Sequence, residues 1–127
     1  MPRSIVLIVD DEPTTAGMLG MLLEAEGFQT MVVHGANKAI EAIKEEKPSL
    51  VVLDVMMPEI SGIDLCRYIR EESDLKDLPV VMISAKSQPE DVEAGIEAGA
   101  TVYLTKPVSK AELVKGVLQG LNDLDSL

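Results

Sequence analysis

Basic residues are scarce in this chain: 11 lysines and arginines stand against 22 aspartates and glutamates, a formal net charge of −11 over 127 residues. Phosphate backbones and anionic lipid surfaces are held by basic patches, so this balance argues against nucleic-acid or membrane-surface binding by this domain. Cysteine is almost absent. The single Cys66 rules out an internal disulfide and any multi-cysteine metal cluster. Set among Ile63, Leu65, Tyr68 and Ile69, it is expected as packed core rather than a reactive thiol. The one histidine, His34, cannot build a histidine-rich metal site, and its place in a turn with Gly35 predicts a surface loop residue away from any site. With no Trp, one Phe and two Tyr, the core must be aliphatic, and one domain of this length can bury a continuous one. No apolar run is long enough to span a bilayer. Met1-Pro2-Arg3-Ser4 leads straight into a strand without a signal-peptide pattern. The expectation is one cytoplasmic domain over residues 1–122, with 123–127 as a frayed tail or the start of a linker.

Short aliphatic runs are abundant. Leu50-Val51-Val52-Leu53 is uninterrupted and β-branched-rich, as in a strand buried on both faces of a parallel sheet, and it ends on Asp54. Similar runs cover Ile5–Val9, Phe28–Val33, Pro79–Ile83 and Thr101–Leu104. Helical patterns fill the gaps: Pro13 to about Glu26, closed by Gly27; Ala36 to about Glu46, before Pro48; Ile63 to Glu71; Pro89 to Ala98, closed by Gly99; and Lys110 to about Leu121. Five strands alternating with five helices require crossovers, so the sheet is expected to be parallel with helices on both faces, a doubly wound α/β layer.

Four strands finish on, or within two residues of, a polar functional group: Asp10-Asp11 after the first, Asp54 on the third, Ser84 after the fourth and Lys106 after the fifth. In a parallel sheet those ends share one edge, where open α/β sheets present their ligands. Three crowded carboxylates repel one another, raising a pKa or recruiting a cation. All-oxygen ligands favour a hard ion such as Mg²⁺. A cation, the Lys106 ammonium and the Ser84 hydroxyl around one carboxylate would stabilise a phosphoryl group in transfer, with Asp54 as nucleophile.

Four stretches, in order and at strand ends, carry a resemblance: Ile8-Val9-Asp10-Asp11-Glu12-Pro13; Asp54-Val55-Met56-Met57-Pro58 with Gly62; Ile83-Ser84-Ala85; and Tyr103-Leu104-Thr105-Lys106-Pro107. Over nearly its full length the chain resembles the receiver (response regulator) domain of two-component signalling. The resemblance implies a flavodoxin-like (βα)5 sandwich with strand order 2-1-3-4-5. It implies Asp54 as phosphoacceptor, Asp10 and Asp11 as the acidic pair holding Mg²⁺ (with Mn²⁺ able to substitute), and the Met56 backbone carbonyl as a further metal ligand. Ser84 matches the switch hydroxyl, Lys106 the lysine that pairs with the phosphoryl group, Tyr103 the aromatic switch residue, and Lys106-Pro107 a cis bond. Implied partners are a sensor histidine kinase or histidine phosphotransfer protein, docking around Thr14 to Leu19, and an output domain or protein controlled by the helix four, strand five and helix five face. That face would also serve any dimer of an otherwise monomeric protein, although Glu90, Asp91, Glu93 and Glu97 make helix four acidic. The family tunes acyl-phosphate lifetime through the side chains two after the Asp and two after the Ser. Here they are Met56 and Lys86, and an apolar Met56 predicts slow autodephosphorylation.

The resemblance describes a signalling phosphoacceptor rather than an enzyme acting on other substrates. A phosphoesterase with a phosphoaspartate intermediate would need a second carboxylate where Met56 stands. A degenerate receiver would have lost part of the constellation. A flavodoxin-type cofactor binder would not carry Asp-Asp-Glu-Pro where it must hold a phosphate.

Overall fold

β-branched and aliphatic runs of four or five residues are too short for stable helices but match the span of a buried strand. The structure, a computed structural model describing residues 5–125, bears that out. In chain order the elements are β1 (Ile5–Val9), α1 (Pro13–Ala25), β2 (Gln29–Val33), α2 (Ala36–Glu46), β3 (Leu50–Asp54), α3 (Gly62–Glu71), β4 (Val80–Ser84), α4 (Pro89–Glu97), β5 (Val102–Thr105) and α5 (Lys110–Asp125). All neighbouring strands pair in parallel, in the order β2-β1-β3-β4-β5.

Alternation along the strands splits the core in two. Leu7, Val9, Val51, Leu53, Val80 and Met82 face α2 and α3, where Ala39, Ile43, Leu65, Cys66 and Ile69 cover them. Val6, Ile8, Leu50, Val52, Val81 and Ile83 face α1 and α5, met by Leu19, Leu23, Leu113 and Val117. Cys66 is fully buried, as expected. The chain leaves β1 toward β2 on one side and reaches β3 on the other, so the order reverses at β1. A crevice therefore opens beyond the carboxyl ends of β1 and β3.

Several element ends differ from the sequence expectation by a residue. β4 takes in Ser84 and β5 takes in Thr105, because these two residues pair across the sheet, and the Lys106 N–H adds a bond to the Ser84 carbonyl (2.8 Å). β2 starts at Gln29 rather than Phe28, and α3 starts at Gly62, with the Ser61 hydroxyl accepting the Asp64 N–H as its cap. The last helix continues past Leu121 to Asp125; residues 122–125 contain no helix breaker. Gly27 (φ +95°) and Gly99 (φ +112°) close α1 and α4 in left-handed geometry, whereas α2 closes on a left-handed Lys47 (φ 48°) just before Pro48. The expected lead-in Met1–Ser4 and the last two residues of the expected tail lie outside the described residues.

Candidate functional site

The pairing that aligns Val9 with Val33 and Leu53 delivers the next residue, Asp10, to the mouth of the crevice. Its N–H donates to the Val33 carbonyl (3.2 Å). The residue is 1% exposed. Oδ1 accepts the Glu12 N–H (2.9 Å), while Oδ2 is buried without a hydrogen-bond partner. Asp54 closes β3 at 6% exposure, and its Oδ1 accepts the Met56 N–H (3.2 Å). Asp11 is exposed at the rim. One carboxylate oxygen from each of the three aspartates lies within 4.8 Å of the others.

Lys106 reaches in from the β5–α5 loop. Its Nζ stands 3.5 Å from Asp54 Oδ1 and 3.7 Å from Asp10 Oδ2, ion-pair distances too long for good hydrogen bonds. One ammonium cannot balance three carboxylates. Asp54 is pushed up to about 6, first by burial and then by the charge of Asp10, against the pull of Lys106 and the Met56 N–H. A buried carboxylate oxygen left unsatisfied is costly, and a hard divalent cation would relieve both that vacancy of partners and the repulsion. The donor set fits such an ion.

The loop from Val55 to Ser61 is pinned at Gly62, whose N–H donates to the Val55 carbonyl (2.9 Å). A Cβ there would strike the Asp54 carbonyl oxygen and lie 2.8 Å from Val55 Cα, so glycine is required for the loop to turn so tightly over the end of β3. Met56 stands in this loop at 55% exposure.

Ser84 and Tyr103 lie beside the carboxylate cluster rather than in it. Ser84 is fully buried, and its Oγ accepts the Lys86 N–H (3.0 Å). The Tyr103 hydroxyl donates to the Lys86 carbonyl (2.9 Å), and its ring lies flush against α4, where a Cβ on Gly95 would come within 2.6 Å of a ring carbon. The main chain of Lys86 thus bonds both residues. The Lys106–Pro107 bond is cis.

One expectation needs correcting. His34 is exposed but not remote: its Nδ1 lies 3.0 Å from the Asp10 carbonyl oxygen. β2 borders β1 in matched register, so the residue after β2 sits beside the residue after β1, a signal available once strand order is known. Arg70 carries no local sequence signal of its role. Its guanidinium donates to the carbonyls of Leu78 (2.7 Å) and Gly99 (2.9 Å) and reaches Thr101 Oγ1 (3.5 Å), tying α3 to the turn after α4. A cleft of about 800 Å³, lined by Lys44, Lys47, Ser49, Asp77 and Pro79 among others, opens at the amino ends of β3 and β4, opposite the carboxylates.

A family model described as the response regulator receiver domain matches residues 6–118. The DNA-binding response regulator MtrA of Mycolicibacterium smegmatis is 44% identical over 115 residues, 91% of this chain and 49% of that protein. The phosphate regulon transcriptional regulatory protein PhoB of Escherichia coli is 39% identical over 109 residues, 86% of this chain and 48% of that protein. The chain spans about half the length of the curated relatives it matches. Among solved structures, the signal receiver domain of a signal transduction histidine kinase from Syntrophus aciditrophicus is 35% identical, with a TM-score of 0.88 over 98% of this chain and 94% of that one. The chemotaxis response regulator CheY4 of Vibrio cholerae is 26% identical, with a TM-score of 0.88 over 94% and 100%.

Proposed function

This chain belongs to the response regulator receiver family of two-component signalling, and we propose that it takes a phosphoryl group onto Asp54 from a histidine kinase or a histidine phosphotransfer protein. The observation that carries this reading is the buried Asp54 carboxylate, set between the acidic pair and the Lys106 ammonium at the sheet's switch point. With its acidity near 6, Asp54 is ionised at neutral pH and can act as a nucleophile.

In the transfer, an Asp54 carboxylate oxygen attacks the phosphorus of the donor phosphohistidine. The new P–O bond forms as the P–N bond breaks, and the bonding pair passes to the imidazole nitrogen. Lys106, already 3.5 Å from Asp54 Oδ1, neutralises charge on the incoming phosphoryl oxygens. The carboxylates of Asp10, Asp11 and Asp54 and the Met56 backbone carbonyl would hold Mg²⁺ or Mn²⁺. Such an ion offsets phosphoryl charge during transfer.

Ser84 then turns its hydroxyl toward a phosphoryl oxygen, releasing the Lys86 N–H that it now accepts. The β4–α4 loop moves, the Tyr103 hydroxyl loses its Lys86 acceptor, and the ring rotates inward. The resulting population shift reshapes the α4, β5 and α5 face for an output partner. The relatives named as DNA-binding or transcriptional regulators favour a DNA-binding output module, while this acidic domain itself contacts no nucleic acid. The donor docks on α1 around Thr14 to Leu19, where Thr14 and Met18 are exposed. Among the described residues no helix is long and apolar enough to cross a membrane. The reading places the receiver in the cytoplasm with its histidine kinase, as a monomer while unphosphorylated.

Intact mass after incubation with acetyl phosphate and Mg²⁺ tests it. The expected gain is one phosphoryl, about 80 Da, dependent on the cation and absent from Asp54→Ala. No adduct and no metal binding would instead leave a receiver fold used only for constitutive interaction.

A further inference from the structure

We propose that His34 is a positioning residue for the acidic pair, fixing the Asp10–Asp11 peptide so that both carboxylates face a divalent cation; the inference rests on the metal-binding reading above. A carbonyl oxygen can only accept, so the 3.0 Å approach of His34 Nδ1 to the Asp10 carbonyl requires a proton on Nδ1. The neutral Nδ1–H tautomer and the imidazolium both satisfy it, so the contact does not depend on the ring's charge.

The segment Asp10–Glu12 lies between β1 and α1, outside both the sheet ladder and the helix. Its geometry must therefore come from other contacts, and the end of β2 supplies two. Val33 accepts the Asp10 N–H (3.2 Å) and His34 donates to the Asp10 carbonyl, gripping the residue's main chain on both sides. Glu12 N–H holds side-chain Oδ1 (2.9 Å). What remains is Oδ2, buried without a hydrogen-bond partner and 3.7 Å from the Lys106 ammonium, on a carboxylate that converges with those of Asp11 and Asp54. Asp11 is joined to this arrangement through the very peptide whose oxygen His34 holds. Rotation of that peptide plane would swing Asp11 relative to Asp10 and open the cluster. Groups that orient metal ligands from one layer out commonly contribute substantially to affinity.

Calorimetric titration of the full chain with Mg²⁺ at pH 8, for wild type, Asp11→Asn, His34→Ala and His34→Asn, tests the assignment. Asn places an amide N–H at the same bond distance from Cα as Nδ1. About tenfold weaker binding is expected for His34→Ala, with Asn restoring at least half of the loss in free energy and thermal stability in EDTA unchanged. At saturating Mg²⁺ the His34→Ala variant is expected to reach full phosphorylation by acetyl phosphate, because no reacting group is lost. Wild-type affinity in His34→Ala, with binding lost in Asp11→Asn, would overturn the His34 role and leave the metal site standing. No Mg²⁺ binding by wild type would overturn both. His34 is the chain's sole histidine, so its ring nitrogens can be read individually by NMR. A bare Nδ1 in the neutral form would also overturn the assignment.

Discussion

Asp54 pays for its reactivity in stability. Folded Asp54 keeps its proton up to about 6, well above an unfolded aspartate near 3.9. The native state therefore binds more protons than the unfolded chain between those values, and its stability falls as pH rises through them. In EDTA, Asp54→Asn is expected to be more stable than wild type by about 1–2 kcal/mol above pH 7, with the gain vanishing below pH 4; denaturant unfolding across pH measures it. A gain that persisted at pH 3 would place its origin elsewhere. Met56, apolar and exposed beside Asp54, cannot orient a hydrolytic water. Met56→Asn is expected to speed loss of the phosphoryl group by about tenfold, followed by phosphoprotein gel or mass; rapid loss from wild type, unchanged in the variant, would remove Met56 from the explanation. Asp10 and Asp11, Asp54 and Lys106 were legible because they close three separate aliphatic runs, so strand ends alone bring them together. His34 and the Lys86 main chain were not, because their bonds join residues of different elements and leave no local pattern.

At the scale of elements, α4 is the lightly seated helix: among its residues from Pro89 to Glu97, Gly95 alone is buried. The Tyr103 ring rests on that glycine, while Arg70 anchors the turn that follows through the Gly99 carbonyl. A methyl group at position 95 must push the ring away or lift the helix. Gly95→Ala is expected to cost about 1–3 kcal/mol in the wild-type background and much less with Tyr103→Ala, a coupling that a double-mutant cycle in urea would read. Additive costs would mean that ring and glycine do not meet. Element order was readable from alternating runs and caps such as Gly27 and Gly99. Ends shifted where pairing across the sheet, as between Ser84 and Thr105, outweighed local composition.

Over the whole molecule, a net charge of −11 gives self-repulsion that any cation relieves, while the three convergent aspartates offer a specific relief. Millimolar Mg²⁺ is expected to raise the melting temperature of wild type by several degrees. Equal ionic strength of NaCl should add a smaller increment by screening. In Asp11→Asn the Mg²⁺ increment should fall to the NaCl one. Equal increments from the two salts in wild type would mean that the cluster binds nothing specifically. Uninterrupted aliphatic runs separated by helical segments announced a parallel, two-faced sheet, but strand order came from the family resemblance, since nothing in β2 itself dictates that it borders β1.

The main chain at Lys86 is bonded on both sides, its N–H to Ser84 and its carbonyl to Tyr103. Neither bond involves the side chain, so any residue but proline preserves both. If Asp54 is phosphorylated as proposed, the side chain at this position would be free to vary how long a signal lasts, while the backbone would determine whether that signal travels. Duration and transmission would then be independent dials on one residue, and a lineage could retune the clock without cutting the wire.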